Sequence, residues 1–144
     1  MTLMRECLAA GAALILLSAA ASGLDEPAVL VVYVEGVEGV EGDIHVNLFT
    51  SSESFLNEPF RNSITPPGDR TGFQVRFADI PPGEYAVSVL HDFNGNGQLE
   101  LGVMGRAREP IAFSNDVRFG FRPPSFAEAA FVVGAGLNEI IIRF

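Results

Sequence analysis

Residues 81–100 read PPGEYAVSVLHDFNGNGQLE, and their first half decides the fold while the second half carries the clearest chemistry. Proline fixes φ and Gly83 supplies the positive φ that a tight reversal needs, so 81–85 reads as a turn that launches a strand. Beyond the turn, Tyr85, Val87 and Val89 fall on one side and Ala86 and Ser88 on the other, the period of two that marks a β-strand with distinct faces.

The same signature recurs outward from this point. Residues 29–34 (VLVVYV) are continuously apolar, as a strand covered on both faces would be, and 44–49 (IHVNLF) and 73–77 (FQVRF) alternate. Residues 117–121 (VRFGF), 131–133 (FVV) and 140–144 (IIIRF) complete a set of seven expected strands. Turn residues separate them: Glu41-Gly42-Asp43, Pro66-Pro67-Gly68-Asp69, Asn94-Gly95-Asn96-Gly97 and Pro123-Pro124. Helix signals are confined to two capping-box patterns, Thr50 with Glu53 and Ser125 with Glu128, each followed by about one turn of helical spacing. Short strands at regular intervals with helix only in connections predict an all-β fold, an antiparallel seven-strand β-sandwich of transthyretin-like or immunoglobulin-like type with one or two short helical turns. The triple Val-Glu-Gly at 34–42 matches neither strand nor helix period and reads as an acidic, extended loop between the first two strands.

At the N-terminus, a short head containing Arg5 precedes an apolar run at 7–17 and a small-residue stretch at 18–23. That is the pattern of an export signal, with cleavage expected after Ala21, and the run is too short to span a bilayer. The expected division is a signal peptide at 1–21 and one β-sandwich domain at 22–144, soluble in the periplasm or outside the cell, with no integral membrane span after cleavage. Cys7 leaves with the signal, so this exported domain is expected to hold together without disulfides.

Eighteen acidic residues against nine arginines and no lysine give a formal charge of −9. Arg5 and Glu6 depart together on cleavage, so the charge belongs to the domain. An acidic surface of this kind repels nucleic acid and anionic membranes, which excludes both as partners. The expected partner is a protein, peptide or glycan of the cell envelope.

In the second half of the opening stretch, Asp92, Asn94 and Asn96 occupy positions 1, 3 and 5 of an EF-hand-type loop. Gly97 takes the sharp turn at 6, Gln98 offers its carbonyl at 7 and Glu100 stands at 9. Hard cations want such oxygens from alternating residues, and the expected ion is Ca2+. Position 12 is Val103 rather than a bidentate glutamate, so a remote carboxylate (Glu109, Asp116 or Glu128) would have to complete the shell. The competing reading is a hairpin in which asparagine and glycine simply make tight turns.

Three other features bear on function. His45 alternates with Asn47 on the polar face of its strand and reads as a solvated histidine. His91 shares the parity of Tyr85 and belongs at the rim of the core; a small hydrolase would combine it with Asp92 and a serine such as Ser114, although no nucleophile-elbow pattern is present. The Phe-rich segment 113–131 carries Arg118 and Arg122, and reads either as a hydrophobic seam or as a ligand platform built on Phe119, Phe121 and Arg118.

Taken in order, Val46-Asn-Leu-Phe49 with the Ser-x-x-x-Phe-Leu that follows, Pro81-Pro-Gly-x-Tyr-Ala86, His91-Asp-x-Asn-Gly-Asn-Gly97, Pro110-x-x-x-Phe-Ser-Asn115 and Pro123-Pro-Ser-Phe126 resemble an exported bacterial family catalogued as a domain of unknown function. The Pro-Pro-Gly-x-Tyr hairpin is also similar to transthyretin-like and carboxypeptidase-regulatory-like sandwich domains. The resemblance implies fold and export, not activity. The functional expectation is therefore a non-enzymatic binding or accessory module with a structural calcium loop at 91–100. The alternative is carbohydrate or peptide recognition through the aromatic patch.

Overall fold

A computed structural model describes residues 26–66, 68 and 73–144. The expected signal segment, Cys7 within it, and part of the turn at 66–69 lie outside the described residues.

The described chain forms β1 (Ala28–Glu35), β2 (Asp43–Phe49), β3 (Arg61–Thr65), β4 (Gln74–Ile80), β5 (Gly83–Asp92), β6 (Ile111–Phe113), a helical turn α1 (Phe126–Ala129), β7 (Phe131–Val133) and β8 (Gly136–Arg143). These build a three-stranded sheet in the order β4-β1-β8 and a larger sheet in the order β3-β2-β5-β6, with β7 pairing the first residues of β5. Alternation in β2 sends Ile44, Val46 and Leu48 inward, and β5 sends Val87 and Val89 inward. Across the gap they meet Leu30, Val32 and Val34 of β1 and Ile142 of β8, all at most 1% exposed. This is the two-layer burial that a sheet with one apolar face requires.

The all-β sandwich follows the sequence reading, with three differences. Among the described residues there are eight strands, not seven. β3 (RNSIT) has too little apolar content to announce itself, and three-residue β6 is too short. The expected strand at 117–121 does not form. After β6, Asn115 and Asp116 adopt left-handed conformations (φ 61° and 53°) that turn the chain off the sheet. Val117 and Phe119 then reach a second apolar cluster, centred on Phe49, Phe55 and Phe113, on the outer face of the larger sheet. The second difference is strand direction: β1 and β8 run parallel over eight register pairs, from Ala28↔Gly136 to Glu35↔Arg143, so the sandwich is not wholly antiparallel. A parallel pair needs a long connection, and here the larger sheet supplies it.

The third difference concerns the two capping boxes. Ser125 and Glu128 make the full reciprocal box of α1. Thr50 with Glu53 starts only turns, because Leu56 stands at φ 63° and ends any helical continuation. The strand does start at 81–85, but not through a left-handed Gly83: Gly83 is already the first residue of β5 without a positive φ, and the left-handed residue lies earlier, at Asp79 (φ 53°). The Tyr85 hydroxyl donates to the Pro81 carbonyl and ties the turn to the strand.

Candidate functional site

β5 ends at Asp92, whose side chain is fully buried. One carboxylate oxygen accepts the N–H groups of Asn94 (3.2 Å) and Gly95 (2.8 Å), and the other accepts that of Gly97 (2.6 Å). Asn94 and Asn96 repeat the device, each accepting through its amide oxygen the N–H two residues on. Three successive side-chain turns therefore wind the loop. Their amide nitrogens converge on Glu100, at 3.1 Å from Asn94 and 3.0 Å from Asn96. Burial by itself would raise the Asp92 carboxyl. The N–H groups of Gly97 and Gly95, the charge of His45 and the N–H of Asn94 outweigh it and hold the carboxyl below the usual aspartate range.

His45 is not solvated, as its strand parity suggested: it is 7% exposed and its Nε2 stands 3.2 Å from Asp92 Oδ2, out of line for a hydrogen bond. The loop itself buries it, because Gly97 folds back over the ring; a Cβ on Gly97 would lie 3.4 Å from His45 Cε1. The face of the larger sheet that periodicity marks as polar is therefore roofed in two places, by this loop and by the second apolar cluster. Between the two roofs a cavity of about 430 Å³ opens on the sheet, with Asn47 and Ser88 in its floor, Leu56 on one wall and Gln98 and Leu99 on the other.

Residues 32–141 match the model of a family described as an uncharacterised protein conserved in bacteria, DUF2141. The chain belongs to this family. The matched span contains the whole larger sheet, the last four residues of β1, the loop and the cavity. Searches of the curated proteins and of the solved structures give no match.

In this DUF2141 chain the expected loop residues Asp92, Asn94, Asn96 and Glu100 do meet, and Gln98 adjoins them, with its backbone N–H held by Asn96. Of the remote carboxylates, Glu109 approaches the loop: it is 9% exposed, and Oε1 accepts the Phe93 N–H at 2.8 Å while Oε2 is buried without a hydrogen-bond partner. Glu128 is committed elsewhere. Hydrogen bonds from Arg122 and from Ser125 hold its carboxyl at about 2. Among the described residues no cluster of three or more acidic, histidine or cysteine side chains gathers at a point.

His91 and Ser114 are not brought together. Ser114 Oγ accepts the Val87 N–H and donates to Ala129 O, which sets it opposite Val87, four residues or roughly 13 Å along β5 from His91. His91 is 2% exposed, its Nε2 is bonded to Glu41 O at 2.7 Å, and its ring lies 4.1 Å from that of Phe93. The aromatic platform divides: Phe121 is 82% exposed beside a hollow it shares with Phe119 and Arg106, whereas Phe119 packs into the second cluster and Arg118, though exposed, does not line the hollow.

Sequence reading missed His45 and the cavity. The available signal was the row of polar residues, Asn47 and Ser88, in strands whose flanking positions are apolar, but only the strand register shows that they adjoin.

Proposed function

We propose that the chain is an exported binding or accessory module of the cell envelope, and that its 92–100 loop takes Ca2+ as a structural ion. The observation that carries the ion reading is that the Asn94 and Asn96 side-chain ends both reach the Glu100 carboxylate, at 3.1 and 3.0 Å, at the open end of a loop already wound around Asp92. A hard cation needs oxygens from alternating residues, so on binding Asn94 and Asn96, whose NH2 groups face Glu100 in the structure, would turn amide oxygens toward the ion while Glu100 supplies charge. An entering ion competes with the amide hydrogen bonds that Glu100 now receives, so the affinity belongs in the weak range of extracellular calcium modules, roughly 0.1–1 mM. At about ten times its dissociation constant the ion then adds about 1.4 kcal/mol to stability.

Thermal melts in millimolar calcium and in chelator test this directly. The expected result is a midpoint higher by a few degrees in calcium for the unaltered protein and no difference for Glu100→Gln, which keeps the hydrogen-bond acceptor but removes the charge. Identical midpoints for the unaltered protein in the two buffers would sink the ion. Export is supported by the apolar run at 7–17 followed by small residues. N-terminal sequencing of protein recovered from the periplasm or medium checks it, and a chain still beginning at Met1 counts against it.

A further inference from the structure

The floor of the cavity has a pattern that core packing does not call for. Register places Asn62 opposite Asn47 on β3 and β2, and Asn47 opposite Ser88 on β2 and β5. Directly paired residues share a face, so the three side chains form one row straight across three neighbouring strands, with a spacing of roughly 4.8 Å between strands. The rows on either side are apolar or roofed: Phe49 faces Ala86 in one, and Leu90 faces Ile111 beside His45 in the other. Among the described residues the Asn47 and Asn62 amides have no hydrogen-bond partner. Asn62 is exposed and Asn47 half-buried, so these amides are within reach of water, and a ligand that displaces that water has to replace its hydrogen bonds.

The chemistry of the lining identifies the class of what it meets. In a chain of charge −9, no aspartate, glutamate or arginine lines the cavity among the described residues, and the one histidine in the lining, His45, has its Nε2 set against Asp92 at 3.2 Å, which leaves no free counter-charge. An anion or a cation entering it would be desolvated without a counter-charge. An apolar ligand would leave the amides stranded. Amides and a hydroxyl, each both donor and acceptor, match groups of the same dual character, and hydroxyls are such groups. Asn57 and Gln98 add two more amides from the opposing walls, while Leu56 and Leu99 offer apolar contact for C–H faces. The volume lies within the range of small-ligand sites, roughly 300–1,000 Å³.

We infer that this cavity binds a neutral saccharide, with Asn47 and Asn62 as the hydrogen-bonding floor and Gln98 and Asn57 as the walls. This rests on the binding-module reading above but not on calcium, and it moves recognition from the Phe119 and Phe121 patch to the sheet face.

The test is a titration of the purified protein, followed by the backbone and side-chain amide signals in nuclear magnetic resonance. Maltotriose, cellotriose and chitotriose are the probes; trialanine and glucose 6-phosphate stand for the peptide and anionic classes. At least one neutral trisaccharide is expected to shift the side-chain amide signals of Asn47 and Asn62. Asn62→Leu, on an exposed edge strand, and Asn47→Leu are each expected to weaken that binding by about tenfold or more, or about 1.4 kcal/mol, with the thermal midpoint kept. No shift with any of the three trisaccharides overturns the proposal. So does a response at these residues to trialanine or glucose 6-phosphate alone, or saccharide binding that both folded variants retain in full. The titration is run in calcium and in chelator: saccharide shifts at Asn47 and Asn62 in both support the proposal, while the ion reading stands or falls separately on shifts at residues 92–100.

Discussion

Asp92 does more for the local structure than any other side chain in the loop, because one buried carboxylate satisfies three N–H groups that would otherwise end β5 unpaired. Replacing it with alanine strands those donors and leaves His45 facing an apolar gap. The expected loss is about 3 kcal/mol in denaturant unfolding. Its pH behaviour has a definite sign. A carboxyl held below its unfolded value contributes stability that is present at neutral pH and lost as pH falls through the folded value. Unfolding free energy should therefore drop below about pH 4, and the part due to this carboxylate should be missing from the acid limb of Asp92→Asn. At the other side of the same junction, Gly42 sits at φ +73° with the Asp92 carbonyl oxygen only 2.5 Å from where a Cβ would be. Gly42→Ala should cost about 1–3 kcal/mol. Gly39→Ala, at φ +81° with nothing within 4 Å, isolates the backbone share, about 1 kcal/mol. Equal losses for the two would show that the clash is relieved.

At the scale of elements, the sequence was most legible where pattern and chemistry agree. β5 is announced by Pro81-Pro82-Gly83, carried by the alternation of Tyr85, Val87 and Val89, and fastened by the Tyr85 hydroxyl; Tyr85→Phe should cost about 1 kcal/mol in a thermal or denaturant midpoint. α1 is announced by Ser125 and Glu128, and the full capping box forms. Ser125→Ala should cost about 1 kcal/mol. Acidification toward the Glu128 value of about 2 should progressively remove what that carboxylate adds, because its folded value lies below the usual glutamate range. Legibility failed where partners override pattern. Residues 117–121 alternate like a strand, yet the left-handed turn at Asn115 and Asp116 sends Val117 and Phe119 into the second cluster. β3 forms because β2 offers it an unpaired edge over five residues, not because Arg61-Asn62-Ser63-Ile64-Thr65 has any apolar face of its own.

For the whole molecule, the most consequential placement is β8 beside β1. The last strand closes the smaller sheet by pairing in parallel with the first, and buries Ile142 completely against the core. Ile142→Ala should therefore destabilise the entire fold, by about 2–5 kcal/mol, as a cooperative fall in the unfolding midpoint, not as local fraying. A lowered slope in urea with an unchanged midpoint would mean that β8 detaches by itself. No helix among the described residues is long and apolar enough to cross a membrane.

The division between what sequence and structure decide follows from range. Periodicity, turn residues and capping pairs are local properties of the chain, acting over a few residues, so the all-β class, the launch of β5, the cap of α1 and the loop residues from Asp92 to Glu100 could be read directly. Parity also assigned His45, Asn47 and Ser88 to a polar face correctly. Whether such a face meets water is not a local property. It depends on which distant segments fold over it, and here the 92–100 loop roofs His45 while Phe55, Phe113 and Phe126 roof the far end. The row of Asn62, Asn47 and Ser88, the cavity above it and the parallel pairing of β1 with β8 exist only because contacts far apart in the chain bring those residues side by side.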